Sequence, residues 1–122
     1  MIKIAVCDDD YLVTSEMEEM LYSVCGKEGI LVDIDILYCG AELEKELEKG
    51  ERYDLLYLDI QMKNGDGITI AKKLRTLDEN AIIVFVSGHE RYMMELFRLD
   101  VFAFIKKPII REQFIKIFWE AY

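Results

Sequence analysis

Residues 53–60, YDLLYLDI, constrain the fold more than any other stretch: Leu55, Leu56, Tyr57 and Leu58 form a short apolar run that stops at the carboxylate of Asp59. A run with no polar alternation suits a strand buried on both faces, as in a parallel sheet covered by helices on either side. The signature recurs. Ile2, Ile4, Ala5, Val6 and Cys7 stop abruptly at Asp8, Asp9 and Asp10; AIIVFV (81–86) stops at Ser87-Gly88; VFAFI (101–105) runs into Lys106, Lys107 and Pro108. LVDIDILY alternates Ile34 and Ile36 with Asp33 and Asp35, which predicts an edge strand with one wetter face.

Helical spacing fills the intervals. Val13, Met17, Met20, Leu21 and Val24 predict a first helix ended by Gly26 and Gly29. AELEKELEK turns Leu43 and Leu47 inward and stops at Gly50, with Glu42–Lys45 and Glu46–Lys49 as surface pairs. After the loop QMKNGDG, where Asp66-Gly67 has turn and helix-initiation chemistry, Ile70, Leu74 and Leu77 mark a third helix. Met93, Leu96 and Phe97 mark a fourth from about 90 to 99, and a last helix runs from about Ile110 to the end. Strand and helix alternate five times without repeat or linker. That pattern predicts one α/β domain over residues 1–122, a doubly wound parallel sheet with right-handed crossovers.

Composition narrows the function. At 122 residues, 52% hydrophobic and 32% charged, the chain is long enough for a core and too apolar to be disordered. A net charge of −9 disfavours generic binding to nucleic-acid phosphates by this segment. Cys7, Cys25 and Cys39 are odd in number and lack a CxxC, so they form neither a disulfide framework nor a zinc motif. MIKIAVCDDD reaches acids too early for a signal peptide and no run is long enough to span a membrane, so a reducing cytoplasm is expected.

In a parallel sheet the C-terminal ends of the strands share one edge, where open α/β sheets bind ligands. Asp8 and Asp9 (strand one), Asp59 (three), Ser87 (four) and Lys107 (five) therefore converge although they are far apart in sequence. Crowded carboxylates repel, and a divalent cation resolves this; hard oxygens suit magnesium, which keeps water and phosphate oxygens as further ligands. A hydroxyl and an ammonium complete a site complementary to a phosphoryl group, and a carboxylate can itself be the phosphorylated nucleophile.

Together and in this order, IAVCDDD, LLYLDIQM followed by NGDGI, IIVFVSGHE and AFIKKPI make the whole chain resemble the receiver domain of bacterial two-component response regulators. The wording SGHERYMMELFRLDVFAFIKKPI is similar to regulators carrying a LytTR-type DNA-binding domain, so the chain is expected to be the N-terminal part of a longer regulator. The resemblance implies a flavodoxin-like (CheY-like) fold with strand order 2-1-3-4-5, and a signalling switch rather than an ordinary enzyme. It implies Asp59 as phosphoacceptor, Mg²⁺ held by Asp9 directly and Asp8 through water with the Gln61 backbone carbonyl, and a sensor histidine kinase as donor. Ser87 would hydrogen-bond the phosphoryl group and move on activation, Lys107 would meet a phosphate oxygen, and a cis Pro108 would aim it. Phe104 falls at the aromatic switch position. Two departures stand out: Lys63 where the family usually has proline, and Phe104 where many members have tyrosine.

Blander roles fit other residues. Asp10 is expected to cap the first helix, His89 to be a surface or capping residue, and Lys106 to be a solvated neighbour of Lys107. On the last helix, Ile110, Phe114, Ile117 and Phe118 form one apolar face, and Ile115, Trp119 and Tyr122 a second. A helix apolar on two sides should be buried on two sides. The second stripe therefore either widens the core face or meets a dimer partner or effector domain, at a surface of helix four, strand five and helix five. Two rival functions remain: a magnesium phosphohydrolase of the haloacid-dehalogenase kind with Asp8 in an Asp8-x-Asp10 motif, and a stand-alone receiver acting by protein–protein contact.

Overall fold

The computed structural model describes residues 1–62, 67–88 and 100–122. Five parallel strands, β1 (Ile2–Cys7), β2 (Val32–Leu37), β3 (Leu55–Leu58), β4 (Ile82–Ser87) and β5 (Ala103–Lys106), lie in the order β2-β1-β3-β4-β5. Helices α1 (Tyr11–Lys27), α2 (Gly40–Glu48), α3 (Gly67–Leu77) and a last helix (Arg111–Ala121) connect or follow them. The fourth helix expected from Met93, Leu96 and Phe97, together with His89, Lys63 and Asp66, lies outside the described residues.

The pleat explains the continuous apolar runs. Ala5, Cys7, Leu56, Leu58, Ile83 and Phe85 point to one face and pack with Leu43 and Leu47 of α2 and Ile70 and Leu74 of α3. Their neighbours Ile4, Val6, Leu55, Tyr57, Val84 and Val86 point to the other, against Met17 and Leu21 of α1 and Phe114 and Phe118 of the last helix. Successive strand side chains alternate faces, so a strand covered on both sides has no polar position to spare. β2 is the edge strand the alternation predicts, and Asp35 on it accepts a 2.8 Å hydrogen bond from the buried Tyr53 phenol.

Three expectations are corrected. Gly26 lies inside α1; the stop is made by Gly29 at φ 68, with Gly29 N–H donating to Gly26 O and Ile30 N–H to Cys25 O at 2.8 Å, a Schellman closure. Leu77 is exposed, since α3 ends there and the chain turns back along 78–81 under Arg75, whose guanidinium donates to the carbonyls of Asp78, Glu79 and Ala81. Ile110 is exposed as well: it is the extended N-cap of the last helix (φ −99, ψ 122) and falls outside the helical periodicity.

Candidate functional site

Each polar residue at the sheet edge is held by the ladder that precedes it. Asp8 N–H donates to Leu37 O, Asp59 N–H to Cys7 O and Lys107 N–H to Ser87 O, all at 3.0 Å. Each is thus one residue beyond its strand yet still pinned to the neighbouring strand, while Ser87 is the last residue of β4. This fixes backbone positions before any side chain is placed, as a preorganised site requires.

Asp8 and Ser87 are fully buried, Asp59 nearly so, and Asp9 is half-buried. One carboxylate oxygen from each of Asp8, Asp9 and Asp59 lies within 4.8 Å of the others. The Lys107 Nζ stands 2.8 Å from Asp8 Oδ2 and 3.4 Å from Asp59 Oδ2, and the Lys107–Pro108 peptide is cis. Asp8 Oδ1 accepts from the Asp10 N–H at 2.9 Å. Its buried Oδ2, though in ion-pair contact with Lys107, makes no aligned hydrogen bond. Burial pushes the Asp59 carboxyl above the usual carboxylate range, the Asp8 charge adds to this, and Lys107 and a backbone hydrogen bond from Gln61 offset part of it. For Lys107, burial pulls downward, but Asp8 and Asp59 outweigh it and hold the ammonium above the ordinary lysine value.

The donor set fits a hard divalent cation: three clustered carboxylates, one with a buried oxygen short of a hydrogen bond, beside the Lys107 ammonium. Among the described residues this is the one group of three or more possible metal ligands. Asp10 stands apart as expected: its carboxylate accepts from Leu12 N–H at 2.9 Å and caps α1. Lys106 is exposed. The Gln61 side chain is exposed, and Phe104 is half-buried against the face carrying Ile83 and Phe85.

Two contacts had no clear signal in the sequence. Gly67, the first residue of α3, donates to Ile60 O at 2.8 Å and lies so close to the Asp59 carbonyl that a Cβ would sit 2.1 Å from its oxygen. Cys7 places its thiol 3.5 Å from the Met62 Sδ and 3.6 Å from the Cys39 carbonyl.

Residues 4–118 match the model of the response regulator receiver domain family. The chain belongs to that family. It is thus a receiver domain of two-component signalling. It is 28% identical over 114 residues to the sensory transduction protein LytR of Staphylococcus haemolyticus, covering 92% of this chain and 42% of that protein. The sensory transduction protein LytT of Bacillus anthracis is 29% identical over 116 residues, covering 95% of this chain and 45% of LytT. The chain therefore spans less than half the length of these curated relatives. In fold it resembles the response regulatory domain of protein mrkE from Klebsiella pneumoniae, with a TM-score of 0.87 at 21% identity over 98% of this receiver and 94% of that domain. The receiver's two-component role makes the phosphohydrolase reading unnecessary, and capping of α1 by Asp10 supplies a structural role for the second acid of that motif. Among the described residues no helix is long and apolar enough to cross a membrane.

Proposed function

We propose that Asp59 is the phosphoacceptor of this receiver and that its phosphorylation, donated by a sensor histidine kinase in the cytoplasm, is the signal. The observation that carries the reading is the convergence on one buried carboxylate: Asp59 lies within 4.8 Å of the Asp8 and Asp9 oxygens and 3.4 Å from the Lys107 ammonium. Asp8, Asp9, Asp59 and the Gln61 carbonyl would hold Mg²⁺, which supplies charge neutralisation for phosphoryl transfer. The domain's own residues do the rest. Asp59 presents a carboxylate oxygen as nucleophile, Lys107 meets the charge arriving on the phosphoryl oxygens, and Ser87, fully buried at the end of β4, offers a hydroxyl. In this sense the domain assists its own phosphorylation and dephosphorylation.

The new charge acts locally and is read at a distance. Ser87 and Phe104 lie on adjacent paired strands, Phe104 opposite Phe85 and Lys106 opposite Ser87, so a shift at Ser87 reaches β5 directly. The readout surface is the outer face of the last helix. Ile115 packs half-buried against the core, while Trp119 is 39% exposed and Tyr122 63%, an exposed apolar face that supports a partner there. That face would meet a dimer partner or the output domain of a longer regulator, a DNA-binding transcriptional one of the LytTR type. Relatives more than twice as long as the matched region support the second domain.

The test is direct. Incubation with acetyl phosphate and Mg²⁺, followed by intact mass, is expected to show one phosphoryl group on the wild type and none on Asp59→Ala. Equal uptake by the two would overturn the assignment. Trp119→Ser should weaken self-association or output-domain contact without changing phosphate uptake; unchanged association of both kinds would remove the role of that face.

A further inference from the structure

Cys7 ends β1, and Cys39, the N-cap of α2, lies two residues past the end of β2. The two strands are paired in parallel with Cys7 opposite Leu37, so Cys39 lies two residues past the partner of Cys7. The Cys7 thiol is 3.6 Å from the Cys39 carbonyl oxygen. A carbonyl oxygen is about 2.4 Å from its own Cα, which puts the Cys7 sulfur within about 6 Å of the Cys39 Cα. The faces agree: Cys7 points to the side of the sheet covered by α2, the helix that Cys39 starts. The Cys39 side chain makes no cap hydrogen bond; its thiol is partly exposed and touches Glu42 at 3.8 Å. Cys25 is buried in α1 on the opposite face.

We propose that Cys7 and Cys39 are a redox-responsive pair that closes to an intramolecular disulfide beside the Asp8 carboxylate when a peroxide reaches the site. The partly exposed Cys39 reacts first, its sulfur taking one peroxide oxygen to give a sulfenic acid and water. The Cys7 sulfur then displaces the hydroxyl from that sulfur, forming the S–S bond and a second water, and the peroxide has been reduced by the two electrons of the pair. Where disulfides occur in reducing compartments they are typically transient and regulatory. Closure draws the Cys7 sulfur from Met62, 3.5 Å away, and Asp8 is the next residue in the chain. The oxidised form is therefore expected to bind magnesium more weakly, a consequence that rests on the metal role proposed for Asp8.

The reduced domain, treated with hydrogen peroxide and quenched, is expected to lose the mass of two hydrogens and remain monomeric on non-reducing gels. It should keep a single alkylatable thiol, Cys25, and yield a Cys7–Cys39 cross-linked peptide that dithiothreitol cleaves. Cys39→Ser should abolish the mass loss and Cys25→Ser should preserve it. Three thiols still alkylatable, a disulfide through Cys25, a Cys39-linked dimer, or an over-oxidised Cys39 beside a free Cys7 would each overturn the proposal. Magnesium-induced thermal stabilisation, compared between reduced and oxidised protein, tests the coupling. Equal shifts refute the coupling with the metal reading intact, whereas no shift in the reduced protein fails the metal reading itself.

Discussion

Replacing Gly67 by alanine sets two physical effects against each other at the Asp59 backbone. Alanine is a better helix residue than glycine by up to about 1 kcal/mol, and Gly67 is the first residue of α3. Against this, the new Cβ would lie 2.1 Å from the Asp59 carbonyl oxygen, 3.0 Å from its carbon and 3.2 Å from the Ile60 Cα. Non-bonded carbon contacts are comfortable near about 3.5 Å, so the start of α3 and the Asp59 backbone must separate by about 1 Å. The obstructing atoms are all backbone, and no rotamer change relieves them. Overpacking of this kind costs about 1–3 kcal/mol, so the clash wins and Gly67→Ala should lose about 1–2 kcal/mol. At roughly 2.1 cal/mol/K of unfolding entropy per residue, that lowers Tm by about 4–8 °C. A 1 Å displacement of a reacting group can cost about a hundredfold in rate, so phosphate uptake should fall more than stability does. Gly26→Ala is the control: Gly26 is also helical, but nothing lies within 4 Å of its Cβ position. It should gain up to about 1 kcal/mol. Urea unfolding and intact-mass phosphorylation of both variants decide the matter. A Gly67→Ala protein as stable and as readily phosphorylated as wild type would refute the close-approach argument.

Other outcomes follow from the same geometry. Asp59→Asn should stabilise the metal-free domain at neutral pH: the Asp59 carboxyl is raised by burial first and by Asp8 second, so its ionised form is disfavoured in the native state. That gain should shrink as pH falls through the raised native value toward the ordinary one and the wild-type carboxyl takes up its proton; urea midpoints of both proteins against pH check it. Tyr57→Phe should be neutral or stabilising, within about 1 kcal/mol, because the Tyr57 hydroxyl is buried with no hydrogen-bond partner among the described residues; a larger loss by urea unfolding would contradict this. Lys107→Met should tighten magnesium binding, measured by calorimetry, while slowing phosphate uptake, since it removes a cation 2.8 Å from Asp8 and 3.4 Å from Asp59.

Much of the fold was legible because parallel strands covered on both faces leave continuous apolar runs, and β1, β3 and β4 each show one. Convergence of Asp8, Asp9, Asp59, Ser87 and Lys107 was legible for the same reason: strand direction alone assigns their shared edge. Asp10 was legible because capping is local. The misreadings come from contacts that local pattern does not encode. Periodicity marks Leu77 and Ile110 as inward, but it does not say where α3 stops or that Ile110 is an extended cap. Two glycines near the end of α1 look alike, and only the Schellman closure shows that Gly29 takes the positive φ. Gly67 reads as turn chemistry, yet its missing Cβ answers to the Asp59 backbone, eight residues back and reached only through the tertiary fold.

The charges at the sheet edge explain how three clustered carboxylates are tolerated together and why a divalent cation would suit them. At an effective dielectric of about 20, each attraction of Lys107 for Asp8 and Asp59 is worth roughly 5–6 kcal/mol, and each repulsion among three carboxylates no more than 4.8 Å apart at least about 3.5 kcal/mol. One lysine thus nearly offsets the repulsion, discounted further because Asp9 is half-buried and screened. It does not offset removal of the carboxylates from water, which is why burial leads the causes that raise Asp59. Among the described residues, the three carboxylates when ionised and the Lys107 ammonium leave two net negative charges, which a divalent cation would complement. A phosphoryl group on Asp59, as proposed, would bring further negative charge to the same place. The site would then need Lys107 for the phosphate oxygens as well as for the acids, and an ammonium 2.8 Å from Asp8 and 3.4 Å from Asp59 could serve either role with a short movement. The site thus costs the resting domain stability, and the charge that Lys107 balances there is the one that phosphorylation of Asp59 would redistribute.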